Sequence, residues 1–151
     1  MLIGVVSDSH GYEGRLSNVL MRLEEKGPLD ALIHLGDGNR DLSRLDVPLP
    51  PIYEVAGNCD FFQSASLAFP TFGGAKLLIT HGHVQRVKQG LDSLYLLARE
   101  RGVQAALYGH THIQRCEIRN GILLLNPGAA MDGHGALLEI DRHGAVSATL
   151  Y

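Results

Sequence analysis

The chain has 151 residues, a formal charge of −3 and 45% hydrophobic residues, which fits one compact domain over 1–151 with a substantial core. The acidic balance speaks against a broad nucleic-acid-binding face, and no apolar run nears the ~20 residues that a membrane span requires. Cys59 and Cys116 have neither zinc-finger nor disulfide-scaffold spacing, and the chain passes into a strand pattern without a charged leader, so a cytoplasmic protein is expected.

Leu2 to Val6 is short and apolar and reads as a buried first strand. Leu16, Val19, Leu20 and Leu23 follow at the spacing of one helical face, and Gly27-Pro28 stops that helix. Ala31 to Leu35 is the second strand, and Pro48-Leu49-Pro50-Pro51 is a stiff connector into a third at Ile52 to Val55. After the turn-forming Gly73-Gly74 comes a strand over Lys76 to Thr80. Leu91, Leu94, Tyr95 and Ala98 then repeat the helical spacing, with Gly102 as the stop. Ala105 to Tyr108 is the fifth strand. Four more are expected at Ile113 to Ile118, Ile122 to Leu125, Ala136 to Ile140 and Val146 to Leu150, with Asn120-Gly121 as a hairpin turn between the first two. With α/β units first and antiparallel strands later, the expected class is α/β: two packed mixed sheets, a β-sandwich, flanked by helices.

The strand ends carry the chemistry. Asp8 and His10, Asp37, Asn58, His81, and His110 with His112 all follow stretches rich in Val, Ile or Leu. The rim beyond the carboxyl ends of strands is where an open α/β sheet places its ligand. Carboxylate, imidazole and amide oxygen together suit divalent ions such as Mn²⁺, Fe²⁺, Zn²⁺ or Ni²⁺. Asp8 and His10, two apart, could point the same way from an extended segment, and Asp37 has two oxygens with which to bridge two cations. Gly36, Gly38, Gly57, Gly82 and Gly109 beside these residues suit tight or positive-φ turns. Two ions about 3.5–4 Å apart acidify a bound water, neutralise phosphate oxygens and align an ester for in-line attack.

Taken in order, Asp8-Ser9-His10, Gly36-Asp37, Gly57-Asn58-Cys59-Asp60, His81-Gly82-His83 and Gly109-His110-Thr111-His112 resemble the motifs of the calcineurin-like metallophosphoesterases, in particular the small single-domain bacterial and archaeal phosphodiesterases. The resemblance implies a dinuclear phosphodiesterase with metal-bound hydroxide as nucleophile, two divalent ions per chain (Mn²⁺ favoured) and a small phosphate ester as substrate. It implies that Asp8, His10, Asp37 and His112 hold one ion and that Asp37, Asn58, His81 and His110 hold the other. Asp37, Asn58 and His83 are the catalytic expectations, with His83 either near His112 and the first ion, touching phosphate, or acting behind the ligands. Many members have His where this chain has Cys59. A thiol is the weaker acid donor at neutral pH, so esters with good leaving groups are expected, with Cys59 itself a small, half-buried filler.

Asp60 then reads as a support or turn cap. Arg40 and the Phe61-Phe62 pair could line the substrate mouth, although an exposed Arg and buried core Phe are the safer readings. His34 reads as structural, and His134 and His143 as surface residues. Asn126-Pro127-Gly128 resembles a loop that closes beneath the metal site. Two other activities stay open within the resemblance, phosphomonoester and nucleotide pyrophosphate hydrolysis. A different class is an interaction scaffold of the retromer-subunit type, which the complete ligand set disfavours. A homodimer is possible.

Overall fold

The computed structural model describes residues 1–61 and 64–151. Among these, β1 (Leu2–Val6), β2 (Ala31–His34) and β3 (Ile52–Glu54) run parallel, and β10 (Ala136–Ile140) and β11 (Val146–Leu150) add to the free side of β1. The order in this sheet is β11-β10-β1-β2-β3. The second sheet runs β4-β6-β7-β9-β8, from β4 (Leu67–Ala68), β6 (Ala75–Thr80), β7 (Ala105–Leu107), β9 (Ile122–Asn126) and β8 (Arg115–Arg119), with β5 (Thr71–Phe72) paired to β6. β9 pairs parallel with β7 as well as antiparallel with β8, so the late strands are not purely antiparallel. Among the described residues, three α-helices accompany the sheets, α1 (Glu13–Leu23), α2 (Asn39–Leu42) and α3 (Asp92–Glu100), with short 3-10 turns between elements.

Period-two alternation divides the apolar residues between two sides of each sheet. Ile3, Val5 and Ile33 of the first sheet meet Leu77, Ile79, Leu107 and Leu123 of the second in the central layer. Val6, Leu32 and Leu137, on the opposite face, pack against Leu16, Val19, Leu20 and Leu23 of α1. Leu78, Ala106 and Leu124 likewise pack against Leu94, Tyr95 and Ala98 of α3. The continuous apolar runs are therefore strands covered on both faces. Gly4 is small because the segment entering β2 lies close over β1: a Cβ there would come within 2.8 Å of the Leu29 side chain.

Leu107 is fully buried in the central layer. Leu107→Ala is expected to lower unfolding stability by about 2–5 kcal/mol, read from urea denaturation with an unchanged slope.

The expected boundaries mostly match to one or two residues. β8 starts at Arg115 rather than Ile113, because residues 109–114 are occupied by the turn that carries His110 and His112. β3 is an exposed edge strand. The hairpin turn forms as expected, with Asn120 and Gly121 at φ 47° and 81°, the left-handed values that a two-residue loop demands.

Candidate metal centre

The parallel strands of both sheets end at one rim. β1, β2 and β3 deliver Asp8, His10, Asp37 and Asn58, while β6 and β7 deliver His81, His110 and His112. Asp8, Asp37 and His81 are buried there, and the other imidazoles are partly exposed. Two groups converge: Asp8 with His10 and His112, and Asp37 with His81 and His110. His112 Nε2 lies 3.0 Å from Asp8 Oδ1, and His10 Nε2 lies 3.6 Å from the same oxygen. Asp37 Oδ2 is 3.8 Å from His10 Nε2 and 3.3 Å from His81 Nε2, so it stands between the groups.

The backbone reaches this arrangement by a different route from the extended one expected. Asp8, His10, Asp37, His110 and His112 all have φ between 46° and 69°. In the left-handed region successive side chains turn inward within a tight bend, at a cost of about 1 kcal/mol or more for each non-glycine residue. The neighbouring glycines divide by purpose. Gly36, Gly38 and Gly82 have positive φ, whereas Gly57 and Gly109 are there for space. A Cβ on Gly109 would collide with Ser7 Oγ, and one on Gly57 with the Asp37 carboxylate.

His81 Nδ1 donates to the Leu35 carbonyl at 2.7 Å, which directs the Nε2 lone pair into the cluster. Around that Nε2 stand Asn58 Oδ1 and His110 Nδ1, each at 3.1 Å, with Asp37 Oδ2 just beyond. Four acceptor atoms thus crowd one point. Ligand bonds of about 2.1 Å around a single ion place neighbouring donor atoms roughly 3.0–3.4 Å apart, so the spacing fits a divalent cation. The electrostatics agree. Burial alone would raise Asp37, but the close contact with His81 and the hydrogen bond from the Cys59 N–H hold it well below the carboxylate range. Burial would lower His81, yet Asp37 and the charge of Asp8 raise it. This point of the rim attracts positive charge.

The remaining expectations are placed as follows. His83 has His81 and His110 as ring neighbours, at 5.5 and 6.1 Å between centroids, and its Nδ1 is buried with no hydrogen-bond partner among the described residues. Cys59 is exposed, not a half-buried filler. It lines a cleft of about 320 Å³ with His10, Asp37, Arg40, Arg44 and Phe61. Phe61 is 97% exposed rather than part of the core, and Phe62 lies outside the described residues. Asn126 is buried, and its amide nitrogen donates to the Gly109 carbonyl and Thr111 Oγ1, which fastens the loop bearing His110 and His112.

Behind these residues stand three supports, of which Asp60 and His34 were expected in kind and Asp41 was not. Asp60 accepts the main-chain N–H groups of Asp37, Gly38 and Gly57 at 2.7, 3.0 and 2.7 Å, locking the second and third motifs together. Asp41, nearly fully buried, accepts from Ser9 Oγ at 2.6 Å and from the Gly11 N–H at 2.8 Å. His34 Nδ1 takes the Gly36 N–H, which leaves Nε2–H to face Ser9 Oγ at 3.3 Å. Asp41 sits four residues beyond Asp37 with no sequence signal to mark it.

His34 also titrates against the fold. Complete burial pushes its pKa down to about 4 from an ordinary 6.5. Its neutral form is at home above pH 6.5, and stability falls as pH drops towards 4 while the unfolded chain takes up the proton. The loss reaches about 3 kcal/mol. Chelator-treated protein is expected to lose stability over this window more steeply than a His34→Gln chain; parallel denaturation curves between pH 7 and 4 would sink the idea.

Comparison with known proteins decides the family. The sequence profile described as the calcineurin-like phosphoesterase superfamily domain matches residues 1–142. The chain belongs to that superfamily. This phosphoesterase is 39% identical to a probable metallophosphoesterase of Bacillus subtilis (strain 168) over 132 residues, 85% of this chain and 75% of the relative. Its fold is similar to that of an archaeal phosphodiesterase, with TM-score 0.79 and 19% identity over 100% of both chains. It is also similar to the fold of Entamoeba histolytica Vps29, solved with zinc, with TM-score 0.74 and 21% identity over 100% of this chain and 98% of the other. Membership in the superfamily implies divalent metal ions and phosphoester hydrolysis, and the rim of this phosphoesterase carries the residue groups that could hold such ions. Among its described residues, no helix is long and apolar enough to cross a membrane.

Proposed function

We propose that the chain is a dinuclear metal-dependent phosphodiesterase acting on small esters. Asp8, His10, Asp37 and His112 hold one ion; Asp37, Asn58, His81 and His110 hold the other. The position of Asp37 between the two imidazole groups is the observation that carries this reading. Mn²⁺ is the favoured ion, with Ni²⁺, Fe²⁺ or Zn²⁺ compatible with the same donors. Bound there, the ions activate water and offset the charge on phosphate oxygens.

The chain's own groups set up and shape that chemistry. Leu35 fixes the His81 tautomer, Asp60 fixes the loop that carries Asp37, and Asn58 supplies oxygen without adding charge. His83 is lowered by burial and by the nearby His81, so near neutral pH it donates an N–H to a phosphate oxygen rather than delivering a proton. Burial, followed by the charge of Asp37, raises the Cys59 thiol. Neither group is a strong acid for the departing oxygen, which favours substrates whose leaving group departs easily. The cleft of about 320 Å³ suits a small ester better than a polymer.

The test is direct. Protein stripped by chelator is reloaded with Mn²⁺, Ni²⁺, Zn²⁺ or Mg²⁺ singly and assayed on an activated phosphodiester and its monoester. Metal-restored diester turnover is expected. Preference for the monoester would overturn the diesterase assignment, and metal binding without turnover of either ester would favour the interaction-scaffold reading.

A further inference from the structure

Cys59 stands where the metal centre opens to solvent. Its sulfur, a nitrogen of His10 and a carboxylate oxygen of Asp37 all lie within 4.8 Å of one another, a third group beside the two already described. The same three residues line one cleft, so the sulfur faces the space in front of the centre. Its place is fixed by its neighbours. The Cys59 N–H donates to Asp37 Oδ1 at 2.8 Å, and Asn58 Nδ2 donates to the sulfur at 3.4 Å while Asn58 Oδ1 turns towards His81. The sulfur thus accepts from Asn58 while its S–H faces the Asp37 carboxylate, at the edge of a cluster of acceptors.

Hard and soft ions experience this edge differently. Imidazole and carboxylate serve Mn²⁺ and Zn²⁺ alike, but thiolate is a soft donor that discriminates in favour of thiophilic ions. We propose that Cys59 is a conditional metal ligand: with His10 and Asp37 it captures thiophilic divalent ions, Zn²⁺ in the first instance, and leaves Mn²⁺ to the oxygen and nitrogen donors. On capture the S–H bond breaks, a sulfur–metal bond forms and the proton passes to solvent. The inference rests on the rim being a metal centre and adds a donor to it. Metal selectivity of the site is then set by a residue outside the seven expected ligands.

Cd²⁺ is the probe, because cadmium–thiolate bonds absorb in the ultraviolet where cadmium–imidazole and cadmium–carboxylate bonds do not. Chelator-stripped native protein titrated with Cd²⁺ is expected to develop this absorption. The Cys59→Ser chain is expected to lose it and Cys116→Ser to keep it, Cys116 lying on β8 as the control thiol. The Zn²⁺-over-Mn²⁺ affinity ratio, from competition calorimetry, is expected to fall roughly 10- to 100-fold in Cys59→Ser. Absorption that survives Cys59→Ser, or an unchanged ratio, overturns the proposal. Mn²⁺ binding measured beside it separates the two readings. Native protein that binds Mn²⁺ but shows no Cys59-dependent cadmium band refutes the thiol ligand alone, whereas failure to bind any of these ions refutes the metal centre as well.

Discussion

Asp37→Asn is expected to reduce metal-dependent turnover of an activated phosphodiester on the order of 10³-fold, about 4 kcal/mol in the barrier. The carboxylate stands 3.8 Å from His10 and 3.3 Å from His81, so it is the negative charge shared by both groups. An amide of the same shape removes that charge and leaves one oxygen to do the work of two. Asparagine is the informative substitution because Asp37 sits at φ 57°, where Asn is tolerated and Ala would add backbone strain. The loop should hold its course, since Asp60 still accepts the N–H groups of residues 37, 38 and 57. Metal stoichiometry is expected to fall with the rate while the melting curve stays close to native. Activity retained within tenfold would show that Asp37 does not bridge.

Gly57→Ala should damage turnover nearly as severely without replacing a single candidate ligand. A Cβ at position 57 would lie 2.1 Å from Asp37 Oδ1 and 2.6 Å from the Asp37 nitrogen, both inside any tolerable contact. Backbone cannot yield there, because the Asp60 carboxylate binds both strands of the junction. The Asp37 carboxylate must therefore move, and displacement of about 1 Å in a catalytic group costs on the order of 10²-fold. Gly14→Ala is the matched control: in α1, with open space around the new methyl, it should leave turnover unchanged and add up to about 1 kcal/mol of helix stability. A Gly57→Ala chain with native kcat/KM would mean that the ligand geometry is looser than these contacts allow.

The cluster proposed as a metal centre was legible as a cluster because its donor side chains sit at strand ends, a property written locally. Asp8, His10, Asp37, Asn58, His81, His110 and His112 do converge at one rim. The means of convergence was not legible. Left-handed backbone at Asp8 or His112 leaves no mark in the sequence, since aspartate and histidine are ordinary in other conformations. Support from Asp41 and His34 depends on β1 and β2 being adjacent, a tertiary fact. The two-residue strands β4 and β5 and the four-residue α2 are too short for any periodicity to show. Cys59 was misjudged because its exposure follows from how the chain turns after β3, and residue type alone favours burial.

The five left-handed residues at the rim also govern how this protein would respond to selection for heat tolerance alone. Glycine at His10 or His112, the more exposed of them, would relieve backbone strain and tend to raise the melting temperature while deleting a donor. At Asp8 and Asp37 it would also forfeit the bonds from Ser7 Oγ, the His110 N–H and the Cys59 N–H. A library screened only for survival after heating would therefore be drawn to the functional rim before the core, and its fittest members would be robust, folded and inert. Laboratory evolution of this chain needs turnover in the screen from the first round.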